Sequence, residues 1–294
     1  MKTLVSIVTP SYNQARYLEQ TILSVQNQTY RPIEHIIIDG GSTDETIAIL
    51  KKHESNSVDI QLKWISEKDR GQGHAVNKGL KLTRGEIIGW INSDDVYFSK
   101  DVVECVVRQF TENPDVDIIH GDVAKIGENN LIHFIWCIPE FDYDRMYVDG
   151  KVSQPTVFFR SRVFAQHSIR EDLLALDYEL WLRLGKTFKF KHINSILAGD
   201  REQPNRISVV KREELRKSHV RVRDEYFHAP SPLRLTEYRL SSFLIRFLYR
   251  LKGLIRLVVL MADSKLSEKL AFEGFIDQTA RAVYWQIFRR VGKL

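Results

Sequence analysis

The first 125 residues alternate short apolar segments with segments of helical periodicity, and this alternation restricts the fold more than any other feature. The strand-like segments are LVSIVTP (4–10), HIIIDGG (35–41), QLKWISE (61–67) and EIIGWI (86–91). The segments between them, SYNQARYLEQTILSVQNQ, TDETIAILKKH and GHAVNKGLKLT, have the apolar spacing of helices. Strands that are apolar on both faces and separated by helices form parallel sheets covered on both sides. We therefore predict an α/β protein.

Each of these strands runs into a cluster of polar residues. The clusters lie at residues 9–13, 39–44, 67–71 and 92–95. One cluster alone, such as DGGSTDE or NSDD, is also explained by a turn and a helix cap. Because ligands of open parallel sheets bind at the carboxyl ends of the strands, four such clusters favour a shared ligand site.

The adjacent carboxylates of Asp94 and Asp95 indicate what this site could hold. The sequence contains no GxxxxGK[ST] and no GxGxxG after the first strand, so neither a Walker loop nor a dinucleotide fingerprint is supported. A hard divalent cation, Mn²⁺ or Mg²⁺, would offset the repulsion between the two carboxylates and join them to a diphosphate. If phosphates bind at this edge, the two carboxylates would therefore hold them through such a cation.

Charge distribution and cysteine content limit the classes of binding partner and the cellular location of this protein. Residues 1–200 carry 23 Lys/Arg and 28 Asp/Glu, whereas residues 201–294 carry 20 and 10. An acidic body with a basic tail argues against nucleic-acid binding and suggests that the tail meets an anionic surface. Cys105 and Cys137 offer neither a disulfide framework nor metal-ligand spacing. The first residues predict a strand rather than a signal peptide, and the expected location is cytoplasmic.

Five segments, in this order, resemble the motifs of the family 2 glycosyltransferases, inverting nucleotide-sugar enzymes with the GT-A fold. They are TPSYNQARYLEQTILSVQNQTY, IIIDGGSTDET, SEKDRGQGHAVNKGL, GEIIGWINSDD and LDYELWLRL (176–184). The resemblance covers about residues 3–210. It implies a Rossmann-like, mainly parallel sheet with helices on both faces. The expected domain spans residues 1–230, with a nucleotide-sugar half at about 1–125 and an acceptor half at about 126–230.

The resemblance also implies roles for residues at the strand ends. Thr9, Tyr12 and Asp39 would hold the nucleoside of a UDP-sugar, with Asp44 nearby. Asp95 would ligate the metal, and Asp94 would contact the ribose or a metal-bound water. The wider donor-binding set that it implies adds Pro10, Asn13, Gly41, Arg70, Gly71 and Asn77.

Asp177 is the residue that the resemblance places as the catalytic base. An inverting transfer needs a carboxylate that takes the proton from the acceptor hydroxyl as the hydroxyl attacks. A helix cap is the alternative role for Asp177, and Glu179 is the alternative base. Trp181 belongs to an apolar stripe typical of a packed helix, although it could also contact the acceptor.

Two further segments flank this helix. Gln154 and Thr156 match an element beside the acceptor site, but a strand-entry turn at Pro155 explains them equally well. In HINSILAGDREQPNRIS, Arg201 matches the family pattern, whereas Gln203 occupies the position of a His that could ligate the metal. Glutamine oxygen or water could replace that ligand. Arg201 or Arg206 could instead neutralise the leaving diphosphate.

Residues 231–294 depart from the family pattern and predict a basic, amphipathic helical tail. Apolar residues from Leu244 to Val258 fall on one side of a helical wheel, with Arg246, Arg250, Lys252 and Arg256 on the other. The four cations argue against a membrane-spanning helix, which needs ~20 mainly apolar residues. An interfacial helix on an anionic membrane, a helix packed on the catalytic domain and a homodimer contact remain open. A second, aromatic-rich helix is expected near residues 265–290.

The predicted function is inverting transfer of a sugar from a nucleotide diphosphate sugar to a hydroxyl of a glycan or lipid-linked acceptor. Surface polysaccharide synthesis, at the inner face of the cell membrane, is the expected setting. The alternative is a non-catalytic nucleotide-sugar-binding or scaffold protein, which would be expected to lack the metal aspartate or the base. A nucleotidyltransferase would need a glycine- and lysine-rich loop where this sequence has TPSYNQ.

Overall fold

The computed structural model describes residues 2–54, 60–148, 151–228 and 232–261. The helix expected near residues 265–290 lies outside the described residues. The strands are β1 (Val5–Ser11), β2 (Ile33–Asp39), β3 (Ile60–Ser66), β4 (Ile87–Trp90), β5 (Val96–Tyr97), β6 (Ile118–Ile126), β7 (Ile132–Trp136), β8 (Phe158–Arg160) and β9 (Phe190–Arg201). The α-helices are α1 (Ala15–Gln26), α2 (Thr46–Glu54), α3 (Gln72–Leu80), α4 (Val102–Glu112), α5 (Leu176–Leu184), α6 (Ile207–Val210), α7 (Arg212–Tyr226) and α8 (Pro232–Met261).

Within the described residues the strands form one sheet in the order β3-β2-β1-β4-β8-β6-β9-β5, with β7 paired to β6. The strands β3, β2, β1 and β4 are parallel, which confirms the α/β prediction. The rest of the sheet is mixed: β8 runs antiparallel to β4 and β6, whereas β9 runs parallel to β6. Because β8 lies between β4 and β6, it joins the parallel strands to the mixed part in one continuous sheet.

Alternating side chains of β2 show why its central residues, Ile36 to Ile38, are all apolar. Ile37 packs with Leu18 and Leu50 of α1 and α2 on one face. Ile36 and Ile38 pack with Ala75 of α3 on the opposite face, since successive side chains of a strand point to opposite sides. Helices thus cover both faces of the parallel half, as the sequence predicts.

The tail helix α8 packs on the sheet at β7. Its residues Ile245 and Tyr249 lie against Ile135 and Cys137, at the end of β7. Gly253 approaches the backbone so closely that an added Cβ would lie 2.1 Å from the carbonyl oxygen of Ile135. The helix is therefore part of the folded domain, and no side chain larger than hydrogen fits at residue 253.

Two of the four cations of α8 lie on its packed face. Lys252 is fully buried and donates to Asn194 Oδ1 (2.8 Å), and Arg256 forms an ion pair with the buried Asp122. The helical wheel places both cations on the side opposite the apolar residues, and Asn194 and Asp122 supply the polar partners that allow this side to pack on the sheet.

The opposite face of α8 is apolar and exposed. Leu240, Phe243 and Phe247 are 70%, 67% and 58% exposed, and Leu244, Leu251 and Leu254 continue the stripe. Arg246 and Arg250 are exposed beside it, as predicted. Across the described ranges, no helix combines the length and the apolar character needed to cross a bilayer.

Candidate active site

The carboxyl ends of the parallel strands, the end of β9 and the first turn of α5 surround one open cavity of about 1000 Å³. Ten of the predicted site residues line it: Pro10, Tyr12, Gly71, Asp94, Asp95, Gln154, Asp177, Trp181, Gln203 and Arg206. Residues that lie far apart in the sequence thus meet at the sheet edge where the strand pattern placed the ligand site.

Asp39 lies beneath the loop after β2 rather than on the cavity wall. Its buried carboxylate accepts hydrogen bonds from the backbone N–H of Gly41 (3.1 Å) and Ser42 (2.9 Å) and from Ser66 Oγ (2.6 Å). Gly41 has φ +82°, in the left-handed region that glycine favours. Asp39 and Gly41 therefore shape the turn, while the neighbouring Gly40 lines the cavity.

Asp44 and Asn13 connect the loops after β1 and β2. Asp44 accepts from the backbone N–H of Ala15 (3.0 Å) and of Thr46 (3.1 Å), and so caps the first turns of α1 and α2. Asn13 accepts from the backbone N–H of Thr43 (2.9 Å). Both residues lie outside the cavity lining and hold these two loops together.

Three more predicted donor residues contact protein groups outside the cavity. Thr9 is fully buried and shares a hydrogen bond with His35 (2.9 Å), whose pKa burial lowers to about 3. Arg70 pairs with Glu171 (2.6 Å). Asn77 donates to the same carboxylate (3.0 Å) and to Ile169 O (2.9 Å). The last two contacts attach the loop before α5 to α3.

Asp94 and Asp95 lie on the cavity wall after β4. Asp95 Oδ1 accepts from the backbone N–H of Arg201 (2.9 Å), and Asp94 Oδ2 accepts from Gln203 Nε2 (3.1 Å). Burial raises the pKa of both carboxyl groups, and the charges of Asp94 and Asp200 raise that of Asp95 further. Ionising both carboxyl groups is therefore unfavourable in the protein alone, and a bound cation would offset that cost.

Asp200 is a third carboxylate that the sequence reasoning missed, although it directly precedes Arg201. It is buried at the end of β9, where it pairs with Lys125 and with Arg206 (3.0 Å). Burial lowers the pKa of Arg206, but the charges of Asp200, Asp95 and Asp94 more than offset this and raise it. Arg206 lines the cavity and is held among these carboxylates.

The donor set fits a hard divalent cation that completes its coordination with substrate oxygens. In the part of the chain that the structure describes, no group of three or more His, Cys, Asp or Glu side chains is arranged to hold a metal. A cation of this kind is commonly held by one or two carboxylates together with substrate phosphates. Asp94 and Asp95 supply that number of carboxylates on the cavity wall.

The two arginines considered for the diphosphate differ in position. The Arg201 guanidinium is buried and donates to Asp94 O (2.8 Å), Gly127 O (3.0 Å), Asn130 Oδ1 (2.7 Å) and Gln20 Oε1 (2.8 Å). It ties the backbone of residue 94 to the neighbouring loops and lies outside the cavity lining. Arg206 is the one of the two that lines the cavity.

Both polar atoms of the Gln203 side-chain amide form hydrogen bonds. Its Nε2 donates to Asp94, and its Oε1 accepts from the backbone N–H of Asn205 (2.7 Å). The side chain therefore orients Asp94 in the place where the family pattern has a histidine.

Asp177 lies in the first turn of α5 and lines the cavity. Its Oδ1 accepts from the backbone N–H of Tyr178 (2.8 Å). Burial raises the pKa of its carboxyl group, and the charge of Asp200 adds to this effect. Glu179 is instead fully buried outside the cavity, bound to Arg183 (2.9 Å) and Tyr226 Oη (2.5 Å). Of the two candidate bases, Asp177 is the one within reach of a ligand.

The acceptor-side residues also divide into those that line the cavity and those that support it. Gln154 lines it, donating to Trp90 O (2.6 Å) and accepting from Asn92 Nδ2 (2.8 Å). Thr156 is buried behind it and donates to Ser153 O (2.7 Å). Trp181 lines the cavity while stacking on Phe159, with a 5.9 Å centroid separation.

Several residues that line the cavity belong to no recognised sequence motif, and the sequence analysis did not identify them as site residues. They are Lys125, Trp136, Lys151, Lys211 and His219. Trp136 has Lys151 Nζ 3.9 Å and Lys125 Nζ 5.1 Å from its ring centroid. Isolated lysines and a tryptophan are ordinary surface and core residues, so only their convergence in space distinguishes them.

A parallel half joined to a mixed half in one sheet, with adjacent aspartates after the central strand β4, is the arrangement that the resemblance to the GT-A class implies. The family model described as "Glycosyl transferase family 2" matches residues 6–168. The chain belongs to this family, which confirms the resemblance. Escherichia coli chondroitin synthase is 30% identical over 241 residues, covering 81% of this chain and 34% of that protein. Pasteurella multocida hyaluronan synthase is 28% identical over 217 residues, covering 71% and 22%.

Solved structures agree on the fold. S. aureus TarS 1–349 in complex with UDP-GlcNAc has a TM-score of 0.59 at 18% identity, covering 82% of this chain and 72% of that one. A Pyrobaculum calidifontis mannosyltransferase in complex with GDP-Man and Mn²⁺ has a TM-score of 0.61 at 16% identity, covering 98% and 86%. The chain spans about a third or less of the length of the two synthases.

Proposed function

We propose that this protein is an inverting glycosyltransferase that moves a sugar from a nucleotide diphosphate sugar to a hydroxyl of a glycan or lipid-linked acceptor. The observation that carries the proposal is that Asp94, Asp95 and Asp177 line one cavity. Two carboxylates suited to a cation and a separate carboxylate suited to proton transfer are the minimum that such a displacement requires.

The donor is proposed to be a UDP-sugar bound at the end of the cavity formed by β1, β2 and β3. Pro10, Tyr12 and Gly40 line this end, with the Asp39 turn beneath them. Support comes from the related folds that hold UDP-GlcNAc and GDP-Man. Because these are less than 20% identical, they support the class of donor and leave the sugar to experiment.

Asp95 is proposed to ligate Mn²⁺ or Mg²⁺, with Asp94 on the ribose side or on a metal-bound water. A bound cation would supply charge neutralisation for the leaving diphosphate. Arg206 is the side chain of this protein that would share that role, since it lines the cavity beside Asp94, Asp95 and Asp200. Gln203 would keep the Asp94 carboxylate in place.

Asp177 is proposed to take the proton from the attacking hydroxyl. Its raised pKa suits this role, because a base whose pKa lies nearer the working pH transfers a proton more effectively than an ordinary carboxylate. The helix position fixes the carboxylate through its bond to the Tyr178 N–H. Attack would occur on the face of the sugar opposite the diphosphate, with inversion.

The acceptor is proposed to be a growing glycan in surface polysaccharide synthesis, which the names of the two synthases support. We also propose peripheral contact with the inner face of the cell membrane through α8. The exposed stripe of Leu240, Phe243 and Phe247 lies opposite the packed face, beside exposed Arg246 and Arg250. An apolar face bordered by cations suits an anionic bilayer interface.

The catalytic proposal is tested with a panel of nucleotide sugars, Mn²⁺ or Mg²⁺, and released nucleotide as the readout. Wild type should turn over at least one donor, and Asp177→Asn should lower kcat by roughly 10²–10⁴-fold, the usual contribution of a general base. Donor affinity should be unchanged. Asp172→Asn is the matched control, because Asp172 is an exposed carboxylate outside the cavity lining.

Two outcomes contradict the proposal. Metal-dependent nucleotide binding without turnover of any donor would indicate a non-catalytic binding or scaffold protein. The absence of both turnover and metal-dependent binding would remove the nucleotide-sugar assignment altogether.

The membrane proposal is tested by co-sedimentation with phosphatidylcholine vesicles with and without phosphatidylglycerol. Wild type should bind the anionic vesicles, and Phe243→Ser with Phe247→Ser should weaken binding by at least about tenfold. Leu131→Ser is the control, because Leu131 is similarly exposed on a different surface. Truncation at residue 230 is less informative, since it would uncover Ile135 and Cys137. Undiminished vesicle binding by the double variant would contradict the proposal, and a loss of self-association instead would indicate a homodimer.

A further inference from the structure

The packed face of α7 brings a histidine to the cavity that Asp177 lines. Leu215, His219, Val222 and Tyr226 recur along this helix at helical spacing. Val222 is fully buried in the apolar cluster that also packs α5, and Tyr226 lies against the same cluster. His219 belongs to this row, yet its side chain lines the cavity. The helix therefore presents an imidazole, rather than an apolar group, where its packed face meets the cavity.

Two contacts hold α7 against the first turn of α5. Ser218 Oγ accepts from the backbone N–H of Ala175 (3.1 Å), two residues before Asp177. The ring of Tyr178, one residue after Asp177, has its centroid 5.2 Å from that of the His219 ring. The residues on both sides of Asp177 thus contact the adjacent pair Ser218 and His219, which fixes α7 beside the carboxylate.

A hydrogen bond determines which nitrogen of the His219 ring is available to a partner. Nδ1 lies 2.9 Å from the carbonyl oxygen of Leu215, one turn earlier in α7. Because a carbonyl oxygen only accepts, Nδ1 carries a proton and donates it to this bond. In the charged imidazolium both nitrogens donate. The bond to Leu215 therefore holds the ring and leaves Nε2–H of the charged form for a carboxylate.

The surroundings of Asp177 disfavour its ionised form. Burial raises the pKa of its carboxyl group, and the charge of Asp200 adds to this effect. The bond from the Tyr178 N–H and the charge of His219 act in the opposite direction and lower the pKa. A base must be ionised before it can take a proton, so this carboxylate needs a positive charge nearby.

The other cations around α7 are paired elsewhere or belong to a different part of the helix. The ion pairs that flank α5 and α7 are Glu179–Arg183, Arg170–Glu225 and Asp172–Arg221. The short helix α6 has no titratable side chain, and Arg206 before it pairs with Asp200 (3.0 Å). Lys211 lines the cavity but precedes His219 by two turns, about 12 Å along the helix axis. On the packed face of α7, His219 is the side chain that can carry a positive charge.

We propose that His219 is a positioning residue for the base: its imidazolium is the counter-charge that keeps Asp177 ionised until the acceptor hydroxyl attacks. The inference rests on the proposed role of Asp177 and adds the group that sustains it. As the hydroxyl oxygen bonds to the sugar carbon and the bond to the diphosphate breaks, the hydroxyl proton passes to Asp177. His219 keeps its own proton throughout this step.

The test follows the Asp177 carboxyl group by carbon NMR, without substrate or metal, in protein labelled at the aspartate side-chain carboxyl carbon. Asp177→Asn identifies the resonance by its loss. His219→Gln should raise the pH at which this resonance titrates, whereas His219→Lys restores a positive charge and should return the titration toward that of wild type. Lys217→Gln is the matched control, because it removes an exposed cation of the same helix outside the cavity lining.

The pH dependence of turnover separates this role from a structural one. The loss of kcat/KM in His219→Gln should be about tenfold larger at pH 5 than at pH 8, the effect expected when a close opposite charge is removed from a carboxylate. The difference arises because alkaline solution ionises the carboxylate with or without the histidine. A displaced helix would instead lower kcat/KM equally at both pH values.

An Asp177 titration that is the same in wild type and His219→Gln, or one that His219→Lys fails to restore, would overturn the inference. Donor turnover by wild type reports separately on the proposed function. Turnover with an unshifted titration in His219→Gln would reject the counter-charge and leave Asp177 as the base. A shifted titration in a protein that turns over no donor would support the charge pair and reject the catalytic proposal instead.

Discussion

Replacement of Arg256 by glutamine should destabilise the protein far more than its place in a basic tail suggests. Arg256 forms an ion pair with Asp122, whose side chain is fully buried beneath α8. The remaining partners of the carboxylate are the backbone N–H of Ile138 (2.7 Å) and His192 Nε2 (3.0 Å). Without the guanidinium, a buried carboxylate keeps its desolvation penalty and loses its ion pair with Arg256.

The expected decrease in the free energy of unfolding is about 3–5 kcal/mol, the range found when one partner of a buried ion pair is removed. Arg250→Gln on the exposed side of the same helix should change it by no more than about 0.5 kcal/mol. Asp122→Asn combined with Arg256→Gln should recover part of the loss, because the buried charge is then absent. Chemical denaturation of the four proteins measures these differences.

The pH dependence gives an independent check. Burial raises the pKa of Asp122, but His192 and Arg256 more than offset this and lower it below its usual range. In wild type this stabilisation is present above the unfolded pKa of about 3.9 and is lost as the pH falls through the folded pKa. In Arg256→Gln the folded pKa rises, so the deficit relative to wild type should shrink as the pH falls toward 4. Equal stabilities of Arg256→Gln and Arg250→Gln at neutral pH would refute the buried pair.

Three further outcomes are expected. Gly253→Ala should lower the free energy of unfolding by about 1–3 kcal/mol, because its Cβ would meet the carbonyl oxygen of Ile135 at 2.1 Å. The midpoint of thermal unfolding should fall accordingly, and an unchanged midpoint would mean that α8 does not pack there. Asp95→Ala should abolish the Mn²⁺ dependence of UDP binding in titration calorimetry, whereas an unchanged dependence would place the metal elsewhere. Because the pKa of Asp177 is raised, kcat/KM should fall as the pH drops through that pKa, and a flat acidic limb would argue against this base.

The nucleotide half could be predicted from local patterns. The consecutive isoleucines of β2 are apolar because helices cover both faces of the sheet, and this appears directly in the sequence as III followed by Asp and glycine. The same logic places Asp94, Asp95 and the other strand-end residues at one edge. The prediction of Asp177 as the base depended on the family resemblance as well, because the sequence pattern alone cannot distinguish a catalytic carboxylate in the first turn of a helix from a helix cap.

Which predicted residues reach the cavity was decided by tertiary contacts. Arg201 and Arg206 are five positions apart and chemically alike, yet the carbonyl oxygens of the loop near residue 127 bind the first and leave the second on the cavity wall. Thr9, Asp39 and Asp44 likewise bond to protein groups that a strand-end pattern does not show.

The tail shows the same division most clearly. The sequence by itself determined that residues near 232–261 form an amphipathic helix, because periodicity is a local property. It did not determine which face of the helix packs on the sheet. The apolar side, with its leucines and phenylalanines, is the side that a core usually covers, whereas the structure covers Lys252 and most of Arg256. The deciding partner, Asp122, is 134 positions away in the chain. Burial of a charge depends on whether a distant group compensates it, and that pairing exists only once the sheet and the helix have come together.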